Sequence, residues 1–122
     1  MTIGEAIARV DTLRRNTYGE AEKIRWLSQL DQRVQRRIID THEASEAVSF
    51  TGYDETTDQG TVLLVPAPYD EMYLHYLIAQ IEYFDQQENR YNNANSLFES
   101  VWYDYACWYN RTHMPVGHRL KF

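Results

Sequence analysis

The sequence holds a single cysteine, Cys107, among 122 residues. No disulfide can form within the chain, so the fold must rest on packing, and a reducing compartment is expected. Long hydrophobic runs are also missing. No stretch approaches the roughly 20 apolar residues of a bilayer-crossing helix, and no membrane partner is expected. The first ten residues, MTIGEAIARV, lack the basic-then-apolar order of a secretory leader. Five glycines and three prolines are too few for a low-complexity chain, and none of the glycines form a phosphate-cradling loop. Internal repeats are absent. The length fits one domain able to bury a core without staples.

Positive charge is scarce where negative charge is dense. Residues 1–47 carry eight acids and eight bases, whereas residues 48–110 carry ten acids and one base, Arg90. Residues 111–122 carry three bases and no acid. This layout gives an acidic body beside a basic tail; an ordinary solvated acidic face is the plainer reading, and head-to-tail self-association is a candidate beside it.

The expected fold is mainly α: a four-helix, bundle-like single domain over residues 1–122. Its helices are expected near 2–15, 18–43, 69–85 and 88–110, with a long loop or short β-hairpin over 47–67 and an extended tail over 111–122. Thr2 and Glu5 have capping-box spacing, and Ile3, Ala6, Ile7, Val10 and Leu13 follow on one face. Thr17 and Glu20 repeat the capping spacing. Ile24, Leu27, Leu30, Val34 and Ile38 then form a second stripe, with Arg25, Arg33, Arg36 and Arg37 mostly off it. The apolar run 62–65 reads as a strand or as the anchor of the loop. Pro66 and Pro68 hold the chain out of helix and set the approach to a third helix. Tyr73, Tyr76, Leu77, Gln80, Ile81 and Phe84 line that helix, while Leu74 and Ile78 extend burial to a second face. In the fourth helix Tyr91, Ala94, Phe98, Val101, Trp102, Tyr105 and Tyr109 share a side.

Candidate chemistry is thin. HEASE, residues 42–46, has Glu46 where a zinc helix requires its second histidine. DETTDQG, residues 54–60, lacks the alternating ligands and distal glutamate of a calcium loop. Cys107 lies among aromatics without the cationic neighbours that make a thiolate. His113 and His118 lie at the tail, suited to pairing with acids of a neighbour. No metal site, cofactor site or nucleophile–base pair is expected. Twelve of the 17 aromatic residues lie between positions 69 and 109. Eight of the twelve are tyrosines, whose hydroxyls need partners in a dry core, so the inner rings are expected in the core and the outer ones at an interface.

The segments LLVPAPYDEMYLHYLIAQIEYF and RYNNANSLFESVWYDYACWYNRTHMP, with KIRWLSQLDQRV and THE upstream, resemble small proteins of the head–tail morphogenesis cluster of tailed phages and prophages of Gram-positive bacteria. Among these the chain looks like the head–tail connector class, also called adaptor or head-completion proteins. The resemblance spans roughly residues 3–115, and RYNN and YNRTHMP are its most distinctive words. It implies a structural virion protein, not an enzyme and without a cofactor, whose copies form a ring below the portal. The implied partners are further copies of itself, the portal and tail-completion proteins, and genome DNA that passes without sequence recognition. The implied location is the host cytoplasm during assembly and then the head–tail junction. On that reading Tyr69, Tyr73, Tyr76, Tyr83, Tyr103, Arg111, Arg119, Lys121 and Phe122 are candidate interface residues. Asp54, Glu55, Asp58, Glu82, Asp85, Glu88 and Glu99 are candidate channel or interface acids. The alternative is a DNA-packaging or regulatory DNA-binding protein that uses the arginines of the second helix.

Overall fold

A computed structural model describes residues 1–39, 41, 50 and 52–113. Four helices make up most of these: α1 (Ile3–Leu13), α2 (Glu20–Val34), α3 (Glu71–Phe84) and α4 (Glu88–Thr112). The architecture is mainly α and bundle-like, as the apolar periodicity implies. α2 continues into a single π-helical turn, Gln35–Ile39. Thr41 lies in a turn; the other residues of the helix expected to 43, and the tail beyond 113, lie outside the described residues.

α1 begins as its capping box requires. The Glu5 amide donates to Thr2 Oγ1 (3.1 Å), and the Thr2 amide donates to Glu5 Oε1 (3.3 Å). Two further free amides of its first turn are taken by the 52–70 loop: Ile3 N donates to the Thr61 carbonyl and Gly4 N to that of Gln59. All the donors that a helix start leaves open here therefore have acceptors. Gly4 permits this approach, because an added Cβ would lie 3.3 Å from Gln59.

The start of α2 differs from expectation. Its N-cap is Gly19, with no side-chain cap, so Glu20 falls at the first helical position and cannot close a box with Thr17. The approach is set elsewhere. Asn16 Oδ1 accepts from the Tyr18 amide (3.1 Å), and the Tyr18 hydroxyl donates to Asp85 Oδ1 (2.7 Å). The Tyr18 ring packs edge-on against Trp26, at 5.6 Å between centroids. These tertiary contacts outweigh a cap worth roughly 1 kcal/mol.

The segment 52–65 forms the loop rather than the hairpin. Among the described residues its one strand-like contact is an isolated antiparallel bridge between Thr2 and Val62. Run 62–65 still alternates, with Val62 exposed and Leu63 and Val65 buried. Its partner is the amino-terminal residue: Leu63 N donates to the Met1 carbonyl. Pro66 and Pro68 precede α3 across a cis Ala67–Pro68 peptide, and the Tyr69 amide donates to the Pro66 carbonyl. Met72, Tyr73, Leu74, Tyr76, Leu77, Ala79 and Ile81 are buried, so α3 does bury more than one face, whereas Phe84 is exposed.

α3 and α4 form an antiparallel hairpin joined by a short turn at Gln86, whose φ is +60°. Aromatic rings pair along it at regular steps. Tyr69 meets Tyr105 (5.7 Å), Tyr76 meets Phe98 (5.3 Å) and Tyr83 meets Tyr91 (5.7 Å). Each step is seven residues on both segments, the repeat that keeps two helices in contact along a shallow supercoil. The tyrosine stripe is therefore first a seam of this hairpin. α1 lies alongside α3, with the Met1 amino group on Asp70 at one end and Arg14 on Asp85 at the other.

Candidate functional site

Three polar features rise from this frame. The first is a buried carboxyl. Asp31 of α2 is fully enclosed yet has no cation within salt-bridge distance among the described residues. It accepts from the Tyr73 hydroxyl (2.6 Å), the Tyr53 hydroxyl (2.6 Å) and the Leu64 amide (3.2 Å). The Tyr73 hydroxyl in turn accepts from the Val65 amide (2.8 Å). Burial raises the Asp31 pKa, and the three donors offset only part of that rise. Burial likewise pushes the Tyr73 and Tyr53 hydroxyls up, so both stay protonated donors. This hub ties α2, the loop and α3 together. The loop comes close enough because Gly52, at φ +99°, sits against Ser28 and Gln32, where a Cβ would lie 2.9 Å from Gln32 Nε2. Ser28 Oγ accepts the next amide, that of Tyr53, at 3.0 Å.

The second feature is an acidic, aromatic corner where α3 turns into α4. Glu82, only 2% exposed, accepts from Arg14 Nε through Oε1, while its Oε2 has no partner. Arg14 also donates to Asp85 Oδ2 at 3.0 Å. A pocket of about 400 Å³ opens here, lined by Glu82, Tyr83, Gln86, Gln87, Glu88, Tyr91 and Asn92. Trp26 and Phe84 stack beside it with rings 7° from parallel and 5.7 Å apart. Tyr83 and Phe84 are 60% and 51% exposed, unusually open for large rings beside a core.

The third feature is basic. Gln29, Gln32, Arg33, Arg36 and Arg37 line a concavity of about 350 Å³ on α2 and the π turn. The Arg33 guanidinium lies 5.7 Å from the Trp102 ring and 5.9 Å from that of Phe98. None of the three arginines has an ion-pair partner among the described residues. π turns commonly mark functional places in helices.

The expected interface set divides between inside and outside. Tyr73 is corrected: it is fully buried, and its hydroxyl belongs to the Asp31 hub, so it presents nothing to a neighbour. Tyr76 is nearly buried against Phe98. Tyr69 is half-buried against Tyr105 and Trp108. Tyr83 and Tyr103 are open, at 60% and 69% exposure, and Arg111 is exposed. Arg119, Lys121 and Phe122 lie outside the described residues, as does His118. Among the acids, Glu82 is buried rather than exposed, drawn in by Arg14, and meets the outside only through the lining of the corner pocket. Asp85 is half-buried on Arg14 and Tyr18. Asp54, Glu55, Asp58, Glu88 and Glu99 are exposed. Asp54 serves its own turn, accepting from the Thr56 hydroxyl and amide, which hold its pKa below the usual carboxylate value.

Sequence reasoning missed Asp31 and Lys23. Lys23 is 2% exposed and pairs with Asp11 at 2.5 Å. Both residues follow the apolar stripe, one helical turn before and after Leu27, which was the readable signal. HEASE lies outside the described residues apart from its flanking Thr41. Among the described residues no group of three metal-ligating side chains converges, and no helix is long and apolar enough to cross a membrane. Comparison with protein-family models, curated proteins and solved structures returns no match.

Proposed function

We propose that this chain is a structural assembly protein: a head–tail connector subunit whose copies form a ring below the portal of a tailed phage or prophage particle. The resemblance in sequence supports the reading, and one observation carries it physically. The molecule is polarised along the α3–α4 hairpin. An acidic corner with open aromatic rings stands at one end, and α4 ends at the other with Arg111 in its last turn, where the sequence becomes basic. A surface that meets a different surface on the next copy makes a head-to-tail contact, and such contacts close into rings when the rotation permits. The ring would sit between portal and tail-completion proteins, assembled in the host cytoplasm and carried into the virion. Exposed acids such as Asp54, Glu55, Asp58 and Glu99 would let DNA slide by repelling its phosphates. The role needs neither catalysis nor a cofactor. Solution mass with and without portal protein tests it: a ring-sized species that appears with the portal supports the reading, and a monomer that ignores the portal opposes it.

The arginine concavity favours a second reading, a DNA-packaging or regulatory protein that grips phosphate through Arg33, Arg36 and Arg37. Duplex affinity measured across a salt series separates the two. Three neutralised phosphates would give a log–log slope of about −2.7, whereas the connector reading expects no tight, salt-sensitive binding.

A further inference from the structure

We propose that the corner pocket at the α3–α4 turn is a receptor for an arginine side chain, and that its occupant is Arg119 in the basic segment of a second copy. The proposal rests on the connector reading for its biological setting but not for its chemistry.

The pocket is negative and incomplete. Glu82 and Glu88 line it, with Asp85 next to its turn, while Arg14 supplies the cation facing Glu82 and Asp85. Arg90 follows on α4 but does not line the pocket. Both oxygens of Asp85 are engaged, by Arg14 and by the Tyr18 hydroxyl. Glu82 Oε2 is different: it is buried and has no donor. A buried carboxylate oxygen without a donor carries an uncompensated desolvation cost, and an arriving N–H group would relieve it. Glu88 adds an exposed carboxylate with no ion-pair partner among the described residues.

The rest of the lining selects the kind of cation. Tyr83 and Tyr91 present ring faces 58° apart at 5.7 Å, and Gln86, Gln87 and Asn92 offer amide oxygens. A guanidinium is planar, carries five donors and stacks on aromatic rings, so it matches this mixture better than a compact ammonium. The pocket volume of about 400 Å³ exceeds what one such side chain fills, leaving room for an apolar neighbour. In the segment RTHMPVGHRLKF, Arg119 is followed by Leu120 and Phe122, suited to the open rings of Tyr83 and Phe84.

Reach favours an intermolecular contact. α4 contains 25 residues, so the pocket at its start lies roughly 36 Å from its end. Arg119 follows Thr112 by seven residues, which span at most about 25 Å when fully extended. The chain's own Arg119 would meet even the near edge of its own pocket only with the whole segment drawn straight back along α4. An adjacent copy placed head to tail has no such requirement.

The test uses the full chain and a labelled peptide with the sequence of residues 111–122, read by fluorescence anisotropy. Saturable binding is expected, weakened at least tenfold by Glu88→Lys in the protein and at least tenfold by Arg119→Ala in the peptide. Tyr91→Ala, at a half-exposed position, should weaken it at least threefold, with helix content unchanged by circular dichroism. Absence of saturable binding, or an affinity held within threefold by either charge substitution, overturns the proposal. Particle incorporation of the wild-type chain is scored separately. Docking without incorporation would leave the receptor site standing and remove the connector role. Incorporation without docking would do the reverse.

Discussion

Tyr73→Phe removes one oxygen atom from the interior and nothing else. Its ring is fully buried, and phenylalanine fills the same space, so no cavity term enters. Two partners lose their bond at once. Asp31 Oδ1 loses its donor at 2.6 Å, and the Val65 amide loses its acceptor at 2.8 Å. A hydrogen bond to a carboxylate is worth about 1.5–3 kcal/mol, and a buried amide left unpaired costs about 1–3 kcal/mol. The two losses share one site and overlap, so a net cost of about 2–4 kcal/mol is expected, a large part of the ~5–15 kcal/mol typical of a domain. Urea unfolding at neutral pH should show a lower midpoint with an unchanged slope, because the surface exposed on unfolding is unchanged. Tyr53→Phe is the control. Its hydroxyl also donates to Asp31 at 2.6 Å, but the residue is only half-buried and water can replace the bond, so about 1 kcal/mol is expected. If Tyr73→Phe costs under about 0.5 kcal/mol, or no more than Tyr53→Phe, the hub is not what joins α2, the loop and α3.

Gly52→Ala should destabilise by about 1–3 kcal/mol, because φ of +99° and a Cβ 2.9 Å from Gln32 Nε2 each oppose a side chain; thermal unfolding of the variant checks it. Asp31 has a raised pKa in the fold, so the folded state binds its proton more tightly than the unfolded state. Its contribution to stability is therefore fully present below the unfolded value and is lost as pH rises through the folded one. The advantage of the wild type over Asp31→Asn should accordingly shrink from acid toward neutral pH, and an advantage that grows in that direction contradicts the assignment. Under the phosphate-gripping reading, replacing Arg33, Arg36 and Arg37 by glutamine should flatten the salt slope of duplex binding by about 2.7; under the connector reading the wild type shows no tight binding to lose.

Helix α1 was readable because its determinants are local. The Thr2–Glu5 box and the Ile3, Ala6, Ile7, Val10 stripe lie within three turns of one helix. The start of α2 was not, because the same box spacing at Thr17 is overridden by Tyr18, whose partners Trp26 and Asp85 come from other elements. Asp31 and Lys23 show the limit of reading a stripe by hydrophobicity alone. Both occupy buried positions on α2, but their partners lie elsewhere in the chain. Tyrosine density pointed to some rings lying in the core, yet not to which ones. The seven-residue steps at 69, 76 and 83 and at 91, 98 and 105 carry that information for the inner pairs. The corner pocket needs the turn at Gln86 and the burial of Glu82 by Arg14, both three-dimensional facts. The Val62 run kept the alternation of a strand without a sheet, since its neighbour is a single residue at the chain start.

The most direct measurement of the assembly role is quantitative mass spectrometry of purified, DNA-filled particles from a host carrying this sequence, paired with antibody labelling in the electron microscope. The account predicts several copies per particle, labelled at the head–tail junction. Full particles that lack the protein, or that carry it anywhere but the junction, would contradict it.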